Sequence, residues 1–156
     1  MSQITLIVYS QTGHTLRASK KLTEAFTAAG HTVTVQRLET LGPASPGSPS
    51  VTLKAVPQLN GADAVVFCTP VHGGVPAPAM AHCLEQIAPL HGKPAACLVT
   101  SFFPAKWGAD QTIAAVQSAC EKKGAKFLGS ASVRWFGFGI AGRCAQAAAE
   151  LTRLLA

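Results

Sequence analysis

Short apolar runs alternate with segments of helical period from one end of this chain to the other, and few architectures can bury both. Ile4 to Tyr9, Asp63 to Thr69 and Ala95 to Thr100 are each about one strand long with a mainly apolar run inside, the pattern of strands buried on both faces of a parallel sheet. Thr32 to Arg37 alternates Val33 and Val35 with polar neighbours, as an edge strand does. Phe127 to Val133 completes a set of five strands.

The segments between them have the other period. After the first strand, Thr15 to Ala29 puts Leu16, Ser19, Leu22, Phe26 and Ala29 on one side of a helix, which stops at Gly30. Beyond Pro78, Met80, Cys83, Leu84 and Ile87 follow i, i+3, i+4, i+7 spacing. Ile113, Val116 and Cys120 mark a third helix ended at Gly124, and Arg143 to Leu155 a last one with Cys144, Ala148, Leu151 and Leu155 inward. Leu38 to Pro57 carries Gly42, Pro43, Pro46, Gly47 and Pro49, so any helix there is short and confined to Val51 to Val56.

Strand and helix repeated to five strands predicts an α/β three-layer sandwich with right-handed crossovers and helices on both faces. Strands two and five as the two edges fit the order 2-1-3-4-5, in which a ligand lies outside the carboxyl ends of strands one and three. At 156 residues and 48% hydrophobic composition, residues 1–156 are expected to form a single domain with enough core to need no staples.

Several functions lose their chemistry at this stage. The five cysteines are widely spaced, form no C-x-x-C pair and sit in apolar patterns, so they are expected to be reduced core residues and not zinc ligands. No Cys is followed six positions on by Arg, and no G-x-x-x-x-G-K-[ST] string occurs, so neither a cysteine phosphatase loop nor a nucleoside triphosphate loop is expected. Asp63 opens its strand, the wrong end for a receiver-type phosphoacceptor. Gly137 to Gly142 matches G-x-G-x-x-G, but no further strand and no acidic ribose partner follow it, so it is expected to shape the start of the last helix. The formal charge of +6 comes from scattered Lys and Arg, which favours anionic small molecules or an acidic protein partner over nucleic acid. No apolar run approaches the roughly 20 residues that cross a membrane, no secretory signal is visible, and the cytoplasm is the expected location.

The first strand-to-helix turn reads Ser10-Gln11-Thr12-Gly13-His14-Thr15. Unpaired N–H groups at the positive end of a helix attract a phosphate, hydroxyls add donors, and Gly13 lets the backbone close around the oxygens. With no lysine in the loop, a single terminal phosphate is the expected ligand. Helix capping is the alternative use of the same residue types.

These residues resemble the S/T-x-T-G-x-T phosphate signature of the flavodoxin family and the related FMN-dependent NAD(P)H:quinone oxidoreductases, supported by A-D-A-V-V-F-C-T-P at Ala62 to Pro70. The resemblance covers essentially the full length. It implies that Ser10, Gln11, Thr12, Gly13, His14 and Thr15 hold the FMN phosphate. It implies that Pro70, Val71, His72, Gly73 and Gly74 border one part of the flavin, and Ser101, Phe102, Phe103, Trp107 and Gly108 another. His14 stands where the family often has Asn, and the chain is basic where carrier flavodoxins are acidic. Gly73 and Gly74 either let a peptide turn toward the flavin N5 or form an ordinary turn; His72 is expected at the surface; the aromatics stack on flavin or pack the loop. The function implied is FMN-dependent redox chemistry, with NAD(P)H as donor and a quinone or similar small molecule as acceptor. Electron carriage between proteins, and a flavin-free module of the same fold, are the alternatives; homo-oligomers remain open and no metal is expected.

Overall fold

The computed structural model describes residues 2–11, 13–42, 51–104 and 107–155. Its elements are β1 (Gln3–Val8), α1 (His14–Ala28), β2 (Thr32–Arg37), β3 (Thr40–Leu41), β4 (Thr52–Leu53), β5 (Ala64–His72), β6 (Val75–Pro76), α2 (Pro78–Gln86), β7 (Pro94–Ser101), α3 (Ala109–Lys122), β8 (Lys126–Arg134) and α4 (Ile140–Leu154). The long strands pair in parallel in the order β2-β1-β5-β7-β8, the expected 2-1-3-4-5 arrangement.

Period-two alternation splits the sheet's side chains between two cores. Val65, Phe67, Cys97 and Val99 face α2 and α3, where Met80, Cys83, Val116 and Cys120 meet them. Leu6, Val66 and Leu98 face α1 and α4, where Leu22, Phe26, Ala148 and Leu151 meet them. Phe67 is fully buried, so truncation to Ala is expected to cost about 3–5 kcal/mol. This double layer leaves the carboxyl ends of the strands as the place where loops gather.

Two local expectations fail. Val51 to Val56 forms no helix: Thr52 and Leu53 pair antiparallel with Leu41 and Thr40, and the buried residues Val51 and Leu53 follow strand period. A hexamer containing Val, Thr, Leu and Val gains more from that pleat than from one isolated turn of helix. The Pro and Gly positions 43, 46, 47 and 49 of the same stretch lie outside the described residues. Secondly, the third long strand does not stop at Thr69. It continues to His72, turns at Gly73 and Gly74 with φ of +63° and +84°, and returns as β6, pairing Val71 with Pro76 and His72 with Val75. Positive φ at both central residues is what a two-residue hairpin needs, and glycine adopts it without steric cost.

Candidate functional site

Ser10 directly follows β1 and Tyr9, and its hydroxyl oxygen accepts hydrogen bonds from the Gly13 N–H at 3.1 Å and the Leu16 N–H at 3.2 Å. Gly13 is the residue that caps α1, with φ of +94°, and has no side chain for that work. Ser10 therefore caps the helix from three residues upstream. Both its lone pairs are used, which leaves its own O–H as a donor directed elsewhere. The N–H groups of His14 and Thr15, in the first turn, have no acceptor within the helix. Capping and anion binding are thus compatible uses of one loop. Thr12 lies outside the described residues, and Gln11 is exposed.

Thr15 is almost fully buried, and its hydroxyl lies 2.7 Å from that of Thr100 near the end of β7. One of the two oxygens donates; if Thr100 does, Thr15 keeps a proton for a further acceptor. His14 lies flat on the indole of Trp135, ring centroids 4.0 Å apart and planes within 6°. These two contacts join the loop to a cavity of about 350 Å³ next to it, within the range of about 300–1,000 Å³ usual for small-molecule sites.

The cavity walls come from three strand ends. Pro70 to Gly74, the end of β5 and its hairpin turn, form one side; Thr100 to Phe103 and Trp107 form another; Trp135, just past β8, closes a third. Gly108 does not line the cavity but lets its walls approach, since a Cβ there would sit 3.0 Å from Val71 Cγ1 and 3.4 Å from the Gly74 Cα. Phe102 touches Phe103, Trp135 and Phe136 with ring centroids 4.6–5.0 Å apart, a continuous aromatic wall. None of the described lining residues is acidic.

His72 departs from the surface expectation. The extension of β5 draws it inward to a half-buried position, and its Nδ1 is buried with no hydrogen-bond partner among the described residues. Burial pushes its pKa below the usual imidazole value, so the ring is neutral at pH 7. An orphaned polar atom beside a cavity is one that a ligand's polar group can satisfy.

Arg37, Thr100, Arg134 and Trp135 were not singled out from sequence. Arg37, at the end of β2, places its guanidinium 3.5 Å from the Ser10 carbonyl, bringing positive charge to a loop with no lysine. Arg134, at the end of β8, donates from Nε to the Phe102 carbonyl. All four lie at or just beyond the carboxyl end of a parallel strand, and that position was the available signal. The glycine-rich stretch after β8 does start the last helix: Gly139 caps α4 with φ of +83°. Among the described residues no group of His, Cys, Asp or Glu is placed to hold a metal, and all five cysteines are buried and free.

A family model described as NADPH-dependent FMN reductase matches residues 3–133. Among solved structures, the chain is similar to a WrbA-like flavodoxin from Agrobacterium tumefaciens, with TM-score 0.74 and 16% identity, covering 99% of this chain and 95% of that one. It is similar to a flavodoxin of Streptococcus pneumoniae TIGR4, with TM-score 0.67, 18% identity and coverage of 97% and 99%. For the two-electron reduced flavodoxin of Megasphaera elsdenii the TM-score is 0.66, the identity 21% and the coverage 94% and 98%. A search of curated protein sequences finds no match. At such identities the structures speak for the fold, and the family match supplies the rest: this chain belongs to the NADPH-dependent FMN reductase family, within the flavodoxin-like FMN-binding proteins.

Proposed function

We propose that this chain binds FMN and uses it to pass electrons from NADPH or NADH to a quinone or similar small acceptor. The observation that carries the reading is the joining of an anion-binding helix start to an aromatic cavity through Thr15–Thr100 and His14–Trp135. The residues present fit the cofactor on three counts: a spare Ser10 donor, an orphaned His72 Nδ1 and glycines at the β5 turn with room for a ring beside them.

Bound there, FMN would supply hydride chemistry: two electrons and one proton from the nicotinamide would pass by way of the flavin to the acceptor, whose second proton would come from solvent. This chain's residues do the positioning. Ser10, Thr15 and the first N–H groups of α1 hold the phosphate, with Arg37 adding positive charge. Phe102, Phe103, Trp107 and Trp135 offer flat apolar faces to the ring and to an aromatic acceptor. The backbone N–H groups of Gly73 and Gly74 are available as donors without a side chain in the way. The described residues of the cavity wall include no carboxylate, so they leave negative charge gathered there unopposed.

The experiment is a visible spectrum of the purified protein followed by turnover. Flavin bands, and oxidation of NADPH or NADH with a water-soluble quinone well above the rate of free FMN, are expected. Bound flavin reduced only by a partner reductase would make the chain an electron carrier. A protein that takes up no FMN would refute the reading altogether.

A further inference from the structure

The aromatic wall extends well past the cavity. Trp107 is 63% exposed, Phe103 52%, Phe136 49% and Phe138 99%, and all project from loops at the carboxyl end of the sheet. Phe136 and Phe138 do not line the cavity, so a ligand inside it leaves them uncovered. Phe138 is not on a slack loop. It stands between Gly137 and Gly139, both at positive φ, and Arg143 donates to the carbonyls of Arg134, Phe136 and Phe138 at 2.6, 3.1 and 2.5 Å. The loop backbone is tied down while its ring stands in water, and together with Phe103, Trp107 and Phe136 it makes an exposed aromatic patch of the kind that marks an interaction surface.

Charge at the same end narrows what that surface is. Arg17 and Arg143, in the first turns of α1 and α4, and Arg37 and Arg134, at the ends of β2 and β8, all lie there, and Arg134 stacks over Phe136 at 5.6 Å. Glu39 is paired with Lys54 at 3.2 Å, Asp110 opens α3 at this same end, and Glu150 lines one cavity with Arg134 and Arg143, offsetting part of their charge. Asp63, Glu85 and Glu121 belong to the opposite end. A second copy would set one positive end against another. Exposed aromatic rings with Arg134 stacked on one of them and further arginines at the same end of the sheet suit an interface that is apolar within and anionic at its face.

We infer that this end of the molecule docks on an anionic lipid surface, with Phe138, Phe136 and Trp107 entering the headgroup region and Arg134 meeting lipid phosphates. The attachment is peripheral, since among the described residues no helix is long and apolar enough to cross a membrane. The cavity mouth then faces the bilayer. Resting on the function proposed above, this makes the acceptor a quinone dissolved in lipid.

The test uses the FMN-loaded protein and vesicles of phosphatidylcholine alone or with a third phosphatidylglycerol, read by co-sedimentation. Binding is expected only to the anionic vesicles, weakening as salt rises. Phe138→Ser should reduce partition about tenfold or more by removing a buried ring, and Arg134→Gln about fivefold by removing one charge at the surface. Lys122→Gln with Lys126→Gln, at the far end, should change it less than about twofold, because those charges stay beyond a Debye length of about 8 Å from the lipid. Phe138→Trp should show a blue shift of emission on the anionic vesicles. The inference is overturned if the wild type ignores anionic vesicles. Equal losses from the two ends, which mean adsorption by net charge alone, also overturn it, as does a dimer dispersed by Phe138→Ser that never binds lipid. Binding that meets these criteria without turnover of a long-chain quinone in the vesicles supports the docking surface and counts against the quinone acceptor.

Discussion

Replacing Thr100 by Val tests how the phosphate-type loop is tied to the cavity. Valine keeps the β-branched shape that suits β7 and removes only the hydroxyl. In the folded protein it leaves the Thr15 hydroxyl without its 2.7 Å partner at a site where both residues are 1% exposed. An unsatisfied buried hydroxyl costs about 1–3 kcal/mol, which for a chain of this size lowers the melting temperature by about 2–4 °C per kcal/mol. Thr15→Val should cost a similar amount, since Thr and Val differ little in helix propensity. The double variant orphans neither oxygen, so its loss should fall below the sum of the singles by about 0.5–3 kcal/mol. Flavin binding separates the two residues. Thr15→Val removes a donor to a charged phosphate, worth about 1.5–3 kcal/mol or roughly tenfold to a hundredfold in affinity. Thr100→Val leaves that donor free and should weaken binding much less. Urea titration of apo-protein gives the stabilities, and FMN titration by flavin fluorescence gives the affinities. Additive single losses, or equal effects of the two variants on FMN, would falsify the reasoning.

Ser10→Ala removes the acceptor of the Gly13 and Leu16 N–H groups at the start of α1 and should cost about 1 kcal/mol of stability, together with weaker FMN but unchanged riboflavin binding; equal loss of both ligands would sink the phosphate role. Gly108→Ala forces a side chain onto a backbone at φ of +135° and against Val71, so thermal melts should show a loss of about 1–3 kcal/mol and FMN should bind more weakly. Burial pushes the thiols of Cys83 and Cys120 up to about 12, so their stabilising effect is full below the unfolded value of about 8.5 and is lost as pH rises toward 12. Unfolding free energies from urea titrations between about pH 9 and 11 should fall by about 1.4 kcal/mol per pH unit per thiol, and Cys83→Ala should flatten that slope; a slope unaltered by the substitution argues against it. Reduction by NADPH should slow as salt rises from low to moderate, because arginines at the carboxyl end of the sheet attract an anionic donor until screened over about 8 Å; a flat or rising rate places those charges out of reach of the donor.

Periodicity along the chain separated centre from edge, because continuous apolar runs such as Val65 to Cys68 bury as central parallel strands and Val33 and Val35 mark an edge, and those edges fit the order that the pairing then shows. It also located the loop at Ser10 to Thr15, since a Ser, Thr and Gly cluster between a strand and a helix is a local signal. What periodicity could not carry was contact between distant segments. Thr15 meets Thr100 across 85 residues, Arg37 reaches the Ser10 carbonyl, and Trp135 slides under His14, each because parallel strands bring their carboxyl ends side by side. Tertiary pairing also overrode local expectation twice, at Thr52–Leu53 and at His72, where a short partner strand was available to satisfy backbone groups that the sequence alone left unassigned. The Ser10 hydroxyl shows the division most plainly. Its place in the loop could be read from sequence, while its pairing with the Gly13 and Leu16 N–H groups, which decides where its proton is free to go, exists only once the chain has folded.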